Sequence, residues 1–164
     1  MGTTFVGIGD RGFWMRDSVL ELWLRFLALH VEDPVESGGL TSKIRDQWLL
    51  ASRGLFNGWV PEGLEEAVST PEGNKLVRAA IGSLLDALRS APPLLSRGVL
   101  NLMGFTDGEF TADIETWRLI EVGEAYLSLL DGKVGAGPSD TSFMPGCREQ
   151  RHAEPSAAAD GGGK

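Results

Sequence analysis

Residues 14–33 read WMRDSVLELWLRFLALHVED, and the fold turns on how that stretch is read. At 3.6 residues per turn, Asp17, Glu21, Arg25, Ala28 and Glu32 fall on one edge. Leu20, Trp23, Leu24, Leu27 and Val31, with Val19, Leu22, Phe26 and Leu29, cover the rest of the circumference. A helix that is apolar over most of its surface has to be enclosed by other helices. The stretch therefore predicts the centre of an all-α fold, a single-domain irregular helical bundle. Its richest apolar run, 19–31, contains Glu21 and Arg25 and is shorter than the roughly 20 residues needed to cross a bilayer. A buried helix is expected, with no membrane contact.

Upstream, residues 3–8 form a short β-prone run closed by Gly9, Asp10 and Gly12, which predicts one edge strand or an extended arm laid across the helices. Gly7, Gly9 and Gly12 spell a literal GxGxxG between that run and the helix, the arrangement that holds a pyrophosphate in dinucleotide-binding folds. That fingerprint also needs a second parallel strand ending in an acidic residue about 20 residues on. Here Glu32 and Asp33 end a helix instead, so the glycines read as a turn that steers the arm into a first helix beginning at Phe13 or Trp14.

Downstream, Pro34 stops the first helix, and Thr41 or Ser42 opens a second that runs to Arg53. A short helix is expected over 61–69. Thr70-Pro71-Glu72 is the strongest helix start in the chain, because a hydroxyl cap followed by proline satisfies free amides and presets the backbone. That helix should reach Ser90, where Pro92 and Pro93 follow. Residues 94–103 suggest a short helix or turn of helix, with a buried strand as the alternative of the same composition, and Thr111 is expected to cap a last helix over 112–130. From Gly135 onward six glycines, three prolines and five alanines surround only two large apolar side chains, Phe143 and Met144. Such a segment cannot bury enough surface to offset its ordering entropy. The division is thus a helical domain over 1–134 and a disordered tail over 135–164.

Fifteen basic against 23 acidic residues give a net charge of −8, which opposes attraction to phosphate backbones and anionic lipid. Nucleic acid is not expected as a partner. A single cysteine, Cys147, and two distant histidines, His30 and His152, provide neither a disulfide nor zinc-ligand spacing. With no leader-like N-terminus, a cytoplasmic location is expected.

His30, beside Glu32 and Asp33, has no nucleophile or second histidine to complete a proton relay and reads as a helix-terminal residue. Cys147 falls in the expected tail, where no basic pocket is expected around it, and no serine sits in a GxSxG elbow. Four of the five tryptophans occupy helical apolar positions. Trp59 stands apart, in an aromatic loop with Phe56 and Val60. It reads first as a lid over the core and second as a contact surface.

These features favour a non-catalytic acidic domain that binds a basic protein, without a cofactor. The partner surface is expected on the exposed side of the last helix, at Glu115, Glu121 and Glu124, joined by Phe56 and Trp59. Toxin-neutralising (immunity) proteins share this size and charge, an analogy at that level only. The alternative is a divalent-metal-dependent enzyme in which Glu21, Glu32, Glu121 and Glu124 converge inside the bundle. The Glu-x-x-His element of di-iron bundles does not occur within residues 1–134.

Overall fold

The computed structural model describes residues 2–32, 39–56, 58–103 and 110–147. Over these residues the fold is mixed α/β rather than all-α, since two small antiparallel sheets accompany the helices. The first sheet is a hairpin of β1 (Thr3–Ile8) and β2 (Arg11–Arg16), with Thr3 opposite Arg16 and Ile8 opposite Arg11. Gly9 opens its two-residue turn at φ +62°, the left-handed conformation such turns demand. Gly7 faces Gly12 across the ladder, and a Cβ on Gly12 would lie 2.0 Å from the Val6 carbonyl oxygen. The GxGxxG pattern is therefore the crowded end of an antiparallel hairpin and precedes no parallel strand.

The expected helix start at Phe13 or Trp14 is corrected with it. Phe13 and Met15 are buried and Trp14 half-buried, a two-residue period that packs β2 against the body. Helix α1 begins only at Asp17 (Asp17–Leu29), whose carboxylate sits in the first turn, where the helix dipole favours negative charge. Apolar residues on both sides of Arg16, Asp17 and Ser18 fit one helical period, which hides the junction.

Helices α2 (Leu40–Ala51), α3 (Leu64–Ala67) and α4 (Pro71–Ser90) follow. The Thr70 hydroxyl accepts the Gly73 amide at 3.1 Å, with Pro71 in the first turn of α4. A second two-stranded sheet joins β3 (Leu94–Leu95) to β4 (Ile114–Glu115), flanking α5 (Arg97–Leu102). Helix α6 (Thr116–Leu130) starts four residues later than Ala112, because Ile114 and Glu115 pair with β3 and the Thr116 amide donates to the Pro93 carbonyl at 3.0 Å.

Helix α1 packs against α2, α4, α6 and the hairpin. Leu20, Trp23 and Leu27 meet Ile81 and Leu85 of α4 and Leu119, Val122 and Tyr126 of α6 in one core. At Gly123 a Cβ would lie 2.6 Å from a Leu85 methyl, so glycine sets the close approach of α4 and α6. The polar edge of α1 is buried as well, with Asp17 6% and Glu21 5% exposed. Arg25 donates to the carbonyls of Ser52 and Met103, the residues that close α2 and α5. It thereby satisfies two helix C-termini that have no intrahelical partners.

The disordered tail is corrected over 135–147. The Ala136 carbonyl accepts the Gly12 amide at 2.9 Å, the Pro138 carbonyl accepts the Trp14 indole at 2.9 Å, and Phe143 packs edge-on to Phe13. Cys147 is buried, and the Gly146 amide donates to Glu121 at 2.7 Å. Glycine and proline let this segment follow the surface, and its backbone is held by hydrogen bonds to other elements rather than by apolar anchors alone. Residues 148–164 lie outside the described residues. Among the described residues no helix is long and apolar enough to cross a membrane.

Candidate functional site

The buried start of α1 builds the site. Asp17 takes the Thr4 hydroxyl on one carboxylate oxygen at 2.8 Å and the Gly58 amide on the other at 2.7 Å. The Thr4 hydroxyl in turn accepts the Val60 amide at 2.8 Å. The backbone on both sides of Trp59 is thus pinned to the hairpin and α1, while the Trp59 side chain itself stays 68% exposed. This is the opposite of a lid: Val60 is buried and Trp59 is presented to solvent. Phe56, its partner in the sequence reading, packs half-buried against the core.

From Val60 the chain turns along the hairpin. The Glu62 amide donates to the Val60 carbonyl at 2.8 Å, and the Trp48 indole donates to the Glu62 carbonyl at 3.0 Å. These bonds aim 61–66 across from β1 and leave a cleft of about 460 Å³ lined by Phe5, Gly7, Gln47, Trp59, Glu62 and Glu65 among others. That volume lies in the ~300–1,000 Å³ range of ligand clefts. The missing side chain at Gly7 leaves the Phe5 ring free to lie along the hairpin, edge-on to Trp14 at 5.5 Å.

Three carboxylates border this cleft and differ in their partners. Glu66 is ion-paired to Lys43 at 2.8 Å, and the hydrogen bond and charge of that lysine hold its carboxyl below the usual range. Glu65 accepts the Gly9 amide at the hairpin turn at 3.1 Å. Glu62 accepts the Leu64 amide on one oxygen. No cation among the described residues pairs with Glu62, and its other oxygen receives no donor from them. Burial pushes the Glu62 carboxyl up to about 7, against the lowering effect of the Leu64 amide and with a further lift from the charge of Glu65.

The carboxylates singled out from sequence are dispersed. Glu115 is half-buried at the start of α6, and Glu121 holds the Gly146 amide. Glu124 is exposed, with Arg89 at 3.4 Å. Glu21 is buried one turn from Arg25, while Glu32 is exposed beyond the end of α1. No three metal-ligating side chains converge among the described residues. His30 bonds Ser83 through Nδ1 at 2.9 Å near the end of α1. The acids that do share a cleft with Trp59 are Glu62, Glu65 and Glu66, and the signal for them was in the stretch GWVPEGLEE, an aromatic loop followed by three acids.

Compared with protein-family profiles, with curated proteins and with solved structures, the chain matches none.

Proposed function

We propose that the chain is a non-catalytic binding domain for a basic protein partner, with toxin neutralisation as the finer form of that role. The observation that carries the reading is an exposed Trp59, its flanking backbone held by Asp17 and Thr4, beside Glu62 and Glu65, which pair with no cation among the described residues. Tryptophan is among the residue types that dominate interface energetics, and a net charge of −8 steers a basic partner toward the domain. Glu124 on α6 contributes to the long-range field, since its near neighbour is already Arg89.

The test uses the full chain to retain a basic protein from its native cytoplasm, followed by titration of the pair. Trp59→Ala is expected to weaken association more than about tenfold, as hot-spot truncations do, with an unchanged melting temperature because the side chain is exposed. Glu124→Lys is expected to change association only modestly and mainly at low salt. Equal affinity of the Trp59→Ala variant and the parent chain would remove the cleft from the interface.

A further inference from the structure

Resting on the binding reading above, we propose that the cleft between the hairpin and 59–66 receives a single arginine side chain of the partner, stacked on Trp59 and held by Glu62 and Glu65. A planar guanidinium is weakly hydrated, stacks on aromatic faces and presents forked donors to carboxylates. The cleft offers the complement of each property. The Trp59 indole is 68% exposed at its rim, and the Phe5 ring lines the wall. Glu62 lines the same cleft with a carboxylate oxygen that no described donor reaches. Glu65, in the first turn of α3, uses one oxygen for the Gly9 amide.

No cation among the described residues pairs with Glu62 or Glu65. Lys43 on α2 is engaged by Glu66. Arg25, about two turns along α1 from Asp17, is committed to Ser52 and Met103. Glu62 is half-buried with no counter-charge among the described residues, a position that costs the fold stability, and an incoming cation is the group that would relieve it.

The charged and titratable groups around Glu62 fix how acidity should act. Glu65 and Glu66 lie on α3, and Lys43 on α2 is tied to Glu66. Asp17 on α1 is occupied by Thr4 and Gly58. Tyr126 on α6 is neutral, its hydroxyl pushed well above the usual range by burial and then by the charge of Glu62. Glu62 is therefore the group whose protonation empties the cleft of its inner charge.

The experiment is a titration of the full chain with the capped tripeptide Gly-Arg-Gly, followed by backbone and indole N–H resonances at pH 8 and pH 5.5. Controls are the same peptide with citrulline, a neutral near-isostere, and with lysine. The peptides are taken to about ten times a millimolar dissociation constant, the strength a single charged side chain can reach. The expected result is a shift of the Trp59 indole and the Gly63 amide, with citrulline at least tenfold weaker and lysine severalfold weaker than arginine. Lowering the pH to 5.5 should weaken the arginine peptide at least fivefold in the parent chain but not in Glu62→Gln. Trp59→Leu, an exposed change that keeps the fold, should weaken it at both pH values.

Equal response to arginine and citrulline, or shifts that map away from the cleft, would overturn the inference. If lysine binds as well as arginine, the stacked guanidinium is refuted. Loss of partner association in Trp59→Ala together with a silent arginine titration would sink this inference while leaving the binding reading intact. Arginine binding in the cleft without any effect of Trp59→Ala on the partner would keep a guanidinium site but overturn its assignment to the partner's arginine.

Discussion

Glu62→Gln should make the protein more stable at pH 8 and leave it nearly unchanged at pH 5. The carboxyl is lifted from 4.5 to about 7, chiefly by burial and secondarily by Glu65. Its folded-state value is raised, so its stabilising contribution is fully present below 4.5 and is lost as pH climbs through 7. Each pKa unit is worth about 1.36 kcal/mol, which gives roughly 3 kcal/mol across the whole window. Glu62 lines an open cleft, and solvent there reduces the effect to about 1–3 kcal/mol. Glutamine removes the titration but keeps an acceptor for the Leu64 amide, so the difference between parent and variant isolates this one group. The assay is urea unfolding at pH 5, 6, 7 and 8; guanidinium is unsuitable because it resembles the head group proposed to enter the cleft. A gap of the same size at every pH would refute the argument, as would a parent chain more stable than the variant at pH 8.

Asp17→Ala should cost roughly 2–4 kcal/mol, because the Thr4 hydroxyl and Gly58 amide lose a shared buried acceptor, and hydrogen exchange at Gly58 and Val60 should accelerate together. Truncation after Lys133 should lower the melting temperature by several degrees relative to truncation after Cys147, since about 1 kcal/mol corresponds to roughly 2–4 °C at this size and the segment between carries the contacts to Gly12, Trp14 and Glu121. Leu27→Ala should cost about 2–5 kcal/mol in denaturant titration, as a fully enclosed side chain of α1 whose loss leaves a cavity.

Legibility in the sequence followed the range of the forces involved. Helix α4 could be read residue by residue because its signals are local: a cap, a proline and an apolar stripe that ends in Leu88. The hairpin could not, although Gly9 announced a turn, because Phe13, Trp14 and Met15 satisfy both a helical face and a strand. What decides between them is the pairing with residues 3–8, a tertiary contact. The polar edge of α1 was visible, but its meaning was inverted. Periodicity marks Asp17 as polar without revealing that its acceptors are used by an amide 41 positions away. Trp59 stood out in its loop, whereas Glu62 and Glu65 after Pro61 resemble ordinary solvation of a helix start. Only the hairpin laid alongside them makes a cleft.

The same residues connect stability to binding, and the connection has a direction. Asp17 and Thr4 hold the loop so that Trp59 is displayed, while Glu62 keeps at that spot a charge the fold would be more stable without. A ligand that binds only the folded chain raises stability according to its affinity and concentration. A cation that also draws the Glu62 carboxyl back toward its ordinary value should therefore stabilise most where that carboxyl is ionised. The gain in melting temperature from saturating arginine amide is expected to be clearly larger at pH 8 than at pH 5 for the parent chain, and equal at the two for Glu62→Gln. A pH-independent gain in both proteins would mean that the amide acts through general solvation, and that the buried carboxylate is a cost of folding with no ligand to relieve it.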